Sequence, residues 1–86
     1  SKYNFEIANV EMLKKFFIHS KKECLDLIDN KLPLPAYDYC LKCSHIFNLL
    51  DARGSISVTE RARYILEIRE LAKNSASIYM DEYEKK

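Results

Sequence analysis

Leu49-Leu50-Asp51-Ala52-Arg53-Gly54-Ser55-Ile56-Ser57-Val58-Thr59-Glu60-Arg61 is the stretch whose reading decides the fold. The apolar run Ile46, Phe47, Leu49, Leu50 leads into Gly54, the chain's only glycine. Glycine takes the left-handed backbone that closes a helix without a Cβ clash, so one helix ends there. Ser57 and Glu60 then stand in S-x-x-E spacing, in which hydroxyl and carboxylate satisfy amide donors at a new helix start. The stretch therefore reads as a tight helix–helix corner with Asp51, Arg53, Glu60, Arg61 and Arg63 crowded around it.

Working backward, Pro35-Ala36-Tyr37 through Ala52 reads as the helix that ends at this corner, roughly 35–52, apolar on most of its circumference. Only Asp38, Lys42, His45 and Asn48 form a polar stripe, so this helix belongs in the centre of a domain or beneath another subunit. Asn30-Lys31-Leu32-Pro33-Leu34-Pro35 is a stiff reversal, because each proline disfavours helix in the residue before it and Pro35 suits a first helical turn. Before it, Val10, Leu13, Phe17, Cys24, Leu27 and Ile28 recur at helical spacing, widened by Phe16 and Ile18, and predict a helix over 10–29 with Asn9 as its N-cap. Its other face carries Lys14, Lys15, Lys21, Lys22, Glu23 and Asp26, which reads as a solvated face.

Residues 1–8 show alternating Tyr3, Phe5 and Ile7 and predict a short extended arm, or a linker from an upstream domain. After the corner, a third helix is expected over 58–83. Val58, Ala62, Ile65, Ala72, Ala76 and Tyr79 lie on one face, with Ile68, Leu71, Ser75 and Ile78 beside it; the small residues at 72, 75 and 76 allow close helix approach. The expected architecture is all-α: a three-helix up-down-up bundle over 9–86 with an extended N-terminal arm.

The chain has 86 residues, enough for one core. It is 48% hydrophobic and 31% charged; a net charge of +1 encodes no global pull toward nucleic acid, and the absence of any apolar run near 18 residues predicts no membrane span. Cys24, Cys40 and Cys43 are an odd number without a signal peptide, which predicts a reducing, cytoplasmic setting. Cys40-Leu41-Lys42-Cys43 has C-x-x-C form, with His45 nearby and Cys24 and His19 on the first helix. Zinc and thioredoxin-type redox chemistry need a tetrahedral ligand set or a helix N-terminus beside a sheet, so core filling is the expectation. His45 is read as a hydrogen-bonding or partner-facing residue. Arg53, Arg61 and Arg63 either close an ion-pair network with Asp51 and Glu60 or reach a partner protein or an RNA phosphate. The tyrosines are read as core and rim packing rather than base-stacking platforms.

Leu34-Pro35-Ala36-Tyr37-Asp38, Ser44-His45-Ile46-Phe47-Asn48-Leu49-Leu50-Asp51-Ala52-Arg53-Gly54 and Ile56-Ser57-Val58-Thr59-Glu60-Arg61 also resemble the C-terminal helical region of the α subunit of bacterial heterotetrameric glycyl-tRNA synthetase. The similarity extends more loosely to Ser1-Lys2-Tyr3-Asn4-Phe5-Glu6 and Ile65-Leu66-Glu67-Ile68-Arg69. The resemblance implies a fragment of a class II enzyme that joins glycine to tRNA(Gly) through an ATP-dependent adenylate. ATP and Mg are then expected for the complete enzyme, with no cofactor, metal or catalytic residue in this chain and no ligase activity of the chain alone. The implied partners are the β subunit, a second α subunit and tRNA(Gly), with an assembly or acceptor-end role for the helical segment. Lys42, His45, Arg53, Arg61 and Arg63 are its candidate contacts. An independent helical adaptor that grips a partner helix, or a small RNA-binding bundle, are the alternatives.

Overall fold

A computed structural model describes residues 2–85, with side chains from Asn9 onward, as three helices: α1 (Lys2–Asp29), α2 (Pro33–Ala52) and α3 (Val58–Glu84). They form an up-down-up bundle in which α2 packs on both neighbours and α1 and α3 touch least. Among the described residues there is no strand. No described helix is long and apolar enough to cross a membrane.

The expected extended arm is corrected: residues 2–8 continue α1, and Asn9 lies inside the helix instead of capping it. Lys2 to Ala8 contain neither glycine nor proline, so a helix already nucleated farther along propagates through them at small cost. The start of α2 also moves, from Pro35 to Pro33. Leu32, its N-cap, has no side-chain acceptor. Instead, Pro33 and Pro35 lack two of the amides that a helix start leaves unpaired, and the Leu32 carbonyl accepts from the Ala36 amide at 3.1 Å. The prolines remove the donors rather than capping them.

Both helix ends facing the connections close in the same way. After α1, the Lys31 amide donates to the Ile28 carbonyl and the Leu32 amide to the Leu27 carbonyl, both at 3.0 Å. After α2, the Gly54 amide donates to Asp51 at 3.0 Å and the Ser55 amide to Leu50 at 3.3 Å. In each case the residue between is left-handed: Gly54 has φ 63° and Lys31 φ 59°. This is the paired closure that favours glycine, and Lys31 adopts it with a side chain. At α3 the expected capping box is present: the Glu60 amide donates to Ser57 Oγ at 3.1 Å, and the Ser57 amide donates to Glu60 Oε1 at 3.2 Å.

Each helix carries one buried seam with alternating steps of three and four residues. On α1 it is Val10, Leu13, Phe17, Ser20 and Cys24; on α2, Ala36, Cys40, Cys43, Phe47 and Leu50; on α3, Tyr64, Ile68, Leu71, Ser75 and Ile78. Two expectations change. Phe16 and Ile18 do not widen the α1 seam but are 51% and 67% exposed. On α3 the second set, Ile68, Leu71, Ser75 and Ile78, is packed together with Ile65 and Ala72 of the first, while Val58, Ala62, Ala76 and Tyr79 face outward. Tyr64 joins the core, its ring edge-on to Phe17 at 4.6 Å between centroids and tilted against Phe47 at 5.8 Å.

All three cysteines are free and buried. Cys24 Sγ lies 3.1 Å from the Ala36 carbonyl and Cys43 Sγ 3.9 Å from that of Phe17, so the thiols donate to backbone and fill the core as expected. Burial, with the neighbouring thiols Cys24 and Cys40 adding to it, pushes the Cys43 thiol from an ordinary 9.0 up to about 12.

Lys14–Glu60 at 3.5 Å and Lys21–Glu67 at 2.8 Å tie α1 to α3 with the same residue offset. Two of the four lysines read as solvated are therefore turned toward α3. That offset leaves the helices staggered. A 28-residue helix is about 42 Å long at ~1.5 Å per residue, yet the bundle measures 56 Å along its axis. The last turns of α3 thus run on past the end of α1 and lie beside the α1–α2 loop and the start of α2.

The two left-handed positions make opposite predictions. No atom lies within 4 Å of a Cβ built on Gly54, so Gly54→Ala should cost only its backbone strain, about 1 kcal/mol. Lys31→Gly removes a strain of ~1–2 kcal/mol but adds ~0.4–1 kcal/mol of unfolded-chain entropy, for a net gain on the order of 0.5 kcal/mol. Urea denaturation of the two variants reads both signs. The same measurement at alkaline pH tests the thiols. Below about pH 9 folded and unfolded chains both hold the Cys43 proton; above it only the unfolded thiol ionises, so stability should fall by ~1.4 kcal/mol per pH unit toward pH 12.

Candidate functional site

The α1–α2 hairpin has one side covered by α3 and one side open. On the open side a groove of about 440 Å³ runs between the helices, lined by Phe16, His19 and Ser20 from α1 and by Asp38, Leu41, Lys42, His45 and Ile46 from α2. Helical spacing builds it. His19 lies three residues after Phe16, and Asp38, Leu41, Lys42 and His45 recur at three- and four-residue steps along one side of α2. Met12, one turn before Phe16, and Leu49, one turn after His45, extend the apolar surface. Met12, Phe16 and Leu41 are each about half exposed and Leu49 is 38% exposed.

Lys42 Nζ stands 4.2 Å from the Tyr39 ring centroid, a cation–π contact that holds the ammonium at the groove's edge. No group of three or more potential metal ligands is found among the described residues. The chemistry on offer is docking: an apolar floor beside a polar and cationic rim.

The five candidate residues do not form one cluster. Lys42 and His45 share this groove. Arg53, just past α2, reaches across to α1: with the Asn9 amide oxygen turned toward it, that oxygen accepts from both terminal nitrogens of the guanidinium at 2.9 and 3.0 Å. Arg61 donates through Nε to both Asp51 oxygens at 3.3 Å and lies over the Phe47 ring, 6.0 Å from its centroid. Arg63 lies over the Tyr64 ring at 5.7 Å. Glu60 is committed to the capping box and to Lys14, and the Ser57 backbone amide, its first cause, holds its carboxyl below the ordinary range. The corner is thus held by separate contacts and not by one ion-pair network.

Sequence reading missed His19, Met12 and Phe16 as members of this face. The signal was present in their positions: Met12, Phe16 and His19 repeat at steps of four and three, beside the buried seam and not within it. It was masked because Phe16 neighbours Phe17, and either ring satisfies an apolar pattern.

Arg61→Glu discriminates between a corner clamp and a partner contact. Both members of the pair are substantially exposed, with side chains 52% and 38% accessible. Reversal should therefore cost less than about 1 kcal/mol in a urea melt. A larger loss would make Arg61 a structural clamp.

The family model described as glycyl-tRNA synthetase alpha subunit matches residues 1–84 of the chain.

Proposed function

The chain belongs to the glycyl-tRNA synthetase alpha subunit family, and from that premise we propose that it is a noncatalytic helical segment of the enzyme, used in assembly. Its open α1–α2 face packs against the remainder of the synthetase, the β subunit foremost, and supports placement of the tRNA acceptor end. The single observation that carries this reading is the row Met12, Phe16, Leu41 and Leu49, large apolar side chains left open beside Lys42 and His45. An apolar row of this extent with a polar edge is the anatomy of a docking surface.

ATP and Mg, which the whole ligase requires on this reading, do not fit the residues present. A triphosphate is gripped by free amides at a helix start. The first turn of α2 carries Pro33 and Pro35, which have none to give, and Ser57 occupies the start of α3. The carboxylates at the corner, Asp51 and Glu60, are already paired with Arg61 and Lys14. Adenylation and the class II active site accordingly belong to other parts of the enzyme, and the chain's contribution is a surface. The family match favours this reading over an independent adaptor.

Two measurements test it. Glycine-dependent ATP–pyrophosphate exchange should be absent from the 86-residue chain and present in the complete enzyme; exchange by the chain alone would sink the noncatalytic reading. In the complete enzyme, Phe16→Asp with Leu49→Asp should release the β subunit in sedimentation velocity while the circular dichroism of the 86-residue chain stays helical. Unchanged assembly would remove the docking role of this face.

A further inference from the structure

The groove between α1 and α2 holds both of the chain's histidines, one on each wall. His45 is not at its margin. Leu41, His45 and Leu49 follow one another at four-residue steps, so their side chains form a single row along α2, with the imidazole between two exposed leucines. On α1, His19 lies three residues after Phe16, whose half-exposed ring lines the same groove. A partner seated on Leu41, Leu49 and Phe16 therefore covers both imidazoles as well.

The groups around the imidazoles decide what a proton would meet there. On α1, Lys15 and Glu23 stand one turn before and one turn after His19, and Lys22 stands three residues beyond it. On α2, Lys42 lies three residues before His45, and both it and Asp38 line the groove. No described residue of α3 joins the lining, and Lys14 and Lys21 of α1 are turned toward Glu60 and Glu67 of α3. Lys15, Lys22 and Lys42 against Glu23 and Asp38 leave no surplus of carboxylate to steady an imidazolium. In water that charge costs little. Beneath a partner, beside Phe16, Leu41 and Ile46, it loses its hydration.

We propose that the α1–α2 face is a pH-gated interface, which holds the β subunit while His19 and His45 are neutral and releases it when they take up protons. This gate presupposes that the face docks the β subunit, as proposed above, and adds its regulation. Imidazole is the side chain whose charge changes between about pH 5 and 8. The docked face excludes the protons and the free face accepts them, so affinity is fully present above neutrality and is lost as pH falls. Each imidazole buried neutral should weaken docking by about tenfold between about pH 7.5 and 5.5, and the two together by up to ~100-fold. The bundle itself should not respond, because both histidines are exposed on it.

The test measures the affinity of the complete α subunit for the β subunit by sedimentation velocity at about pH 7.5 and about pH 5.5, either side of the imidazole titration. The parent should lose about tenfold or more on acidification. His19→Gln with His45→Gln, which keeps a neutral hydrogen-bonding side chain at each position, should lose less than about threefold. His45→Lys, which fixes the charge, should bind weakly at both pH values. Circular dichroism of the 86-residue chain should be the same at both pH values and in every variant. Phe16→Asp with Leu49→Asp separates the gate from the interface. If that pair leaves assembly intact, the face is not the interface and the gate falls with it. If the pair releases the β subunit but the parent binds equally at both pH values, the face docks without a gate and the proposal is overturned. It is overturned equally if the glutamine variant keeps the parent's pH dependence, if His45→Lys binds like the parent at the higher pH, or if acid unfolds the chain.

Discussion

Helix α2 has to be covered on two sides, and the rest of the structure answers that requirement. Its buried residues Ala36, Cys40, Cys43, Ile46, Phe47 and Leu50 occupy too wide an arc for one neighbour. α1 takes one flank and α3 the other, so α1 and α3 share the least packing, Phe17 on Tyr64 and two ion pairs among it. Two short connections fix where each flank begins. Each opens with a left-handed residue and paired amide–carbonyl closures onto the preceding helix, so the chain reverses without abandoning backbone groups to the interior. With flanks and reversals set, no helix remains to cover the outer side of α1–α2 or the α2–α3 end. Open apolar surface follows from having only two helices to cover one that is apolar nearly all round.

What was legible in the sequence was local. Gly54, Ser57 and Glu60 state their roles through backbone geometry and hydrogen bonding within a few residues, and the structure has them as read. What was illegible depended on a partner. α3 carries two apolar stripes about a quarter-turn apart, and only the position of α2 selects Tyr64, Leu71, Ser75 and Ile78 over Val58, Ala62, Ala76 and Tyr79. Lys31 shows the same limit at a turn. Lysine gives no sign of left-handed backbone, which is imposed there by the closure onto Ile28 and Leu27. The early residues of α1 alternate as a strand would, but a helix already under way carries them along.

The candidate site was half visible. Lys42 and His45 stood out because a polar stripe on an apolar helix is conspicuous, and they do share a groove. The α1 half of that groove was hidden by its own hydrophobicity, since Phe16 on the surface and Phe17 in the core look alike in a pattern of letters. The arginines were drawn together by proximity in sequence, whereas each reaches a different element: Arg53 to α1, Arg61 to Asp51 of α2, Arg63 to the ring beside it. Cys40 and Cys43 have a spacing that suggests chemistry, but they and Cys24 share an environment that suppresses it, since burial keeps their protons on.

The unequal sharing of contacts among the helices also bears on how the chain acquires its shape. Most of the packing of α1 is with α2, its immediate successor, and most of that of α3 is with α2, its immediate predecessor. Few contacts therefore require distant parts of the chain to find each other, and low contact order of this kind goes with rapid folding. The α1–α2 hairpin is also synthesised first, already locked at Lys31 by its own hydrogen bonds. It can form before α3 exists, and α3 then completes the bundle by closing over Cys40 and Phe47 from a corner whose direction Gly54 has already set.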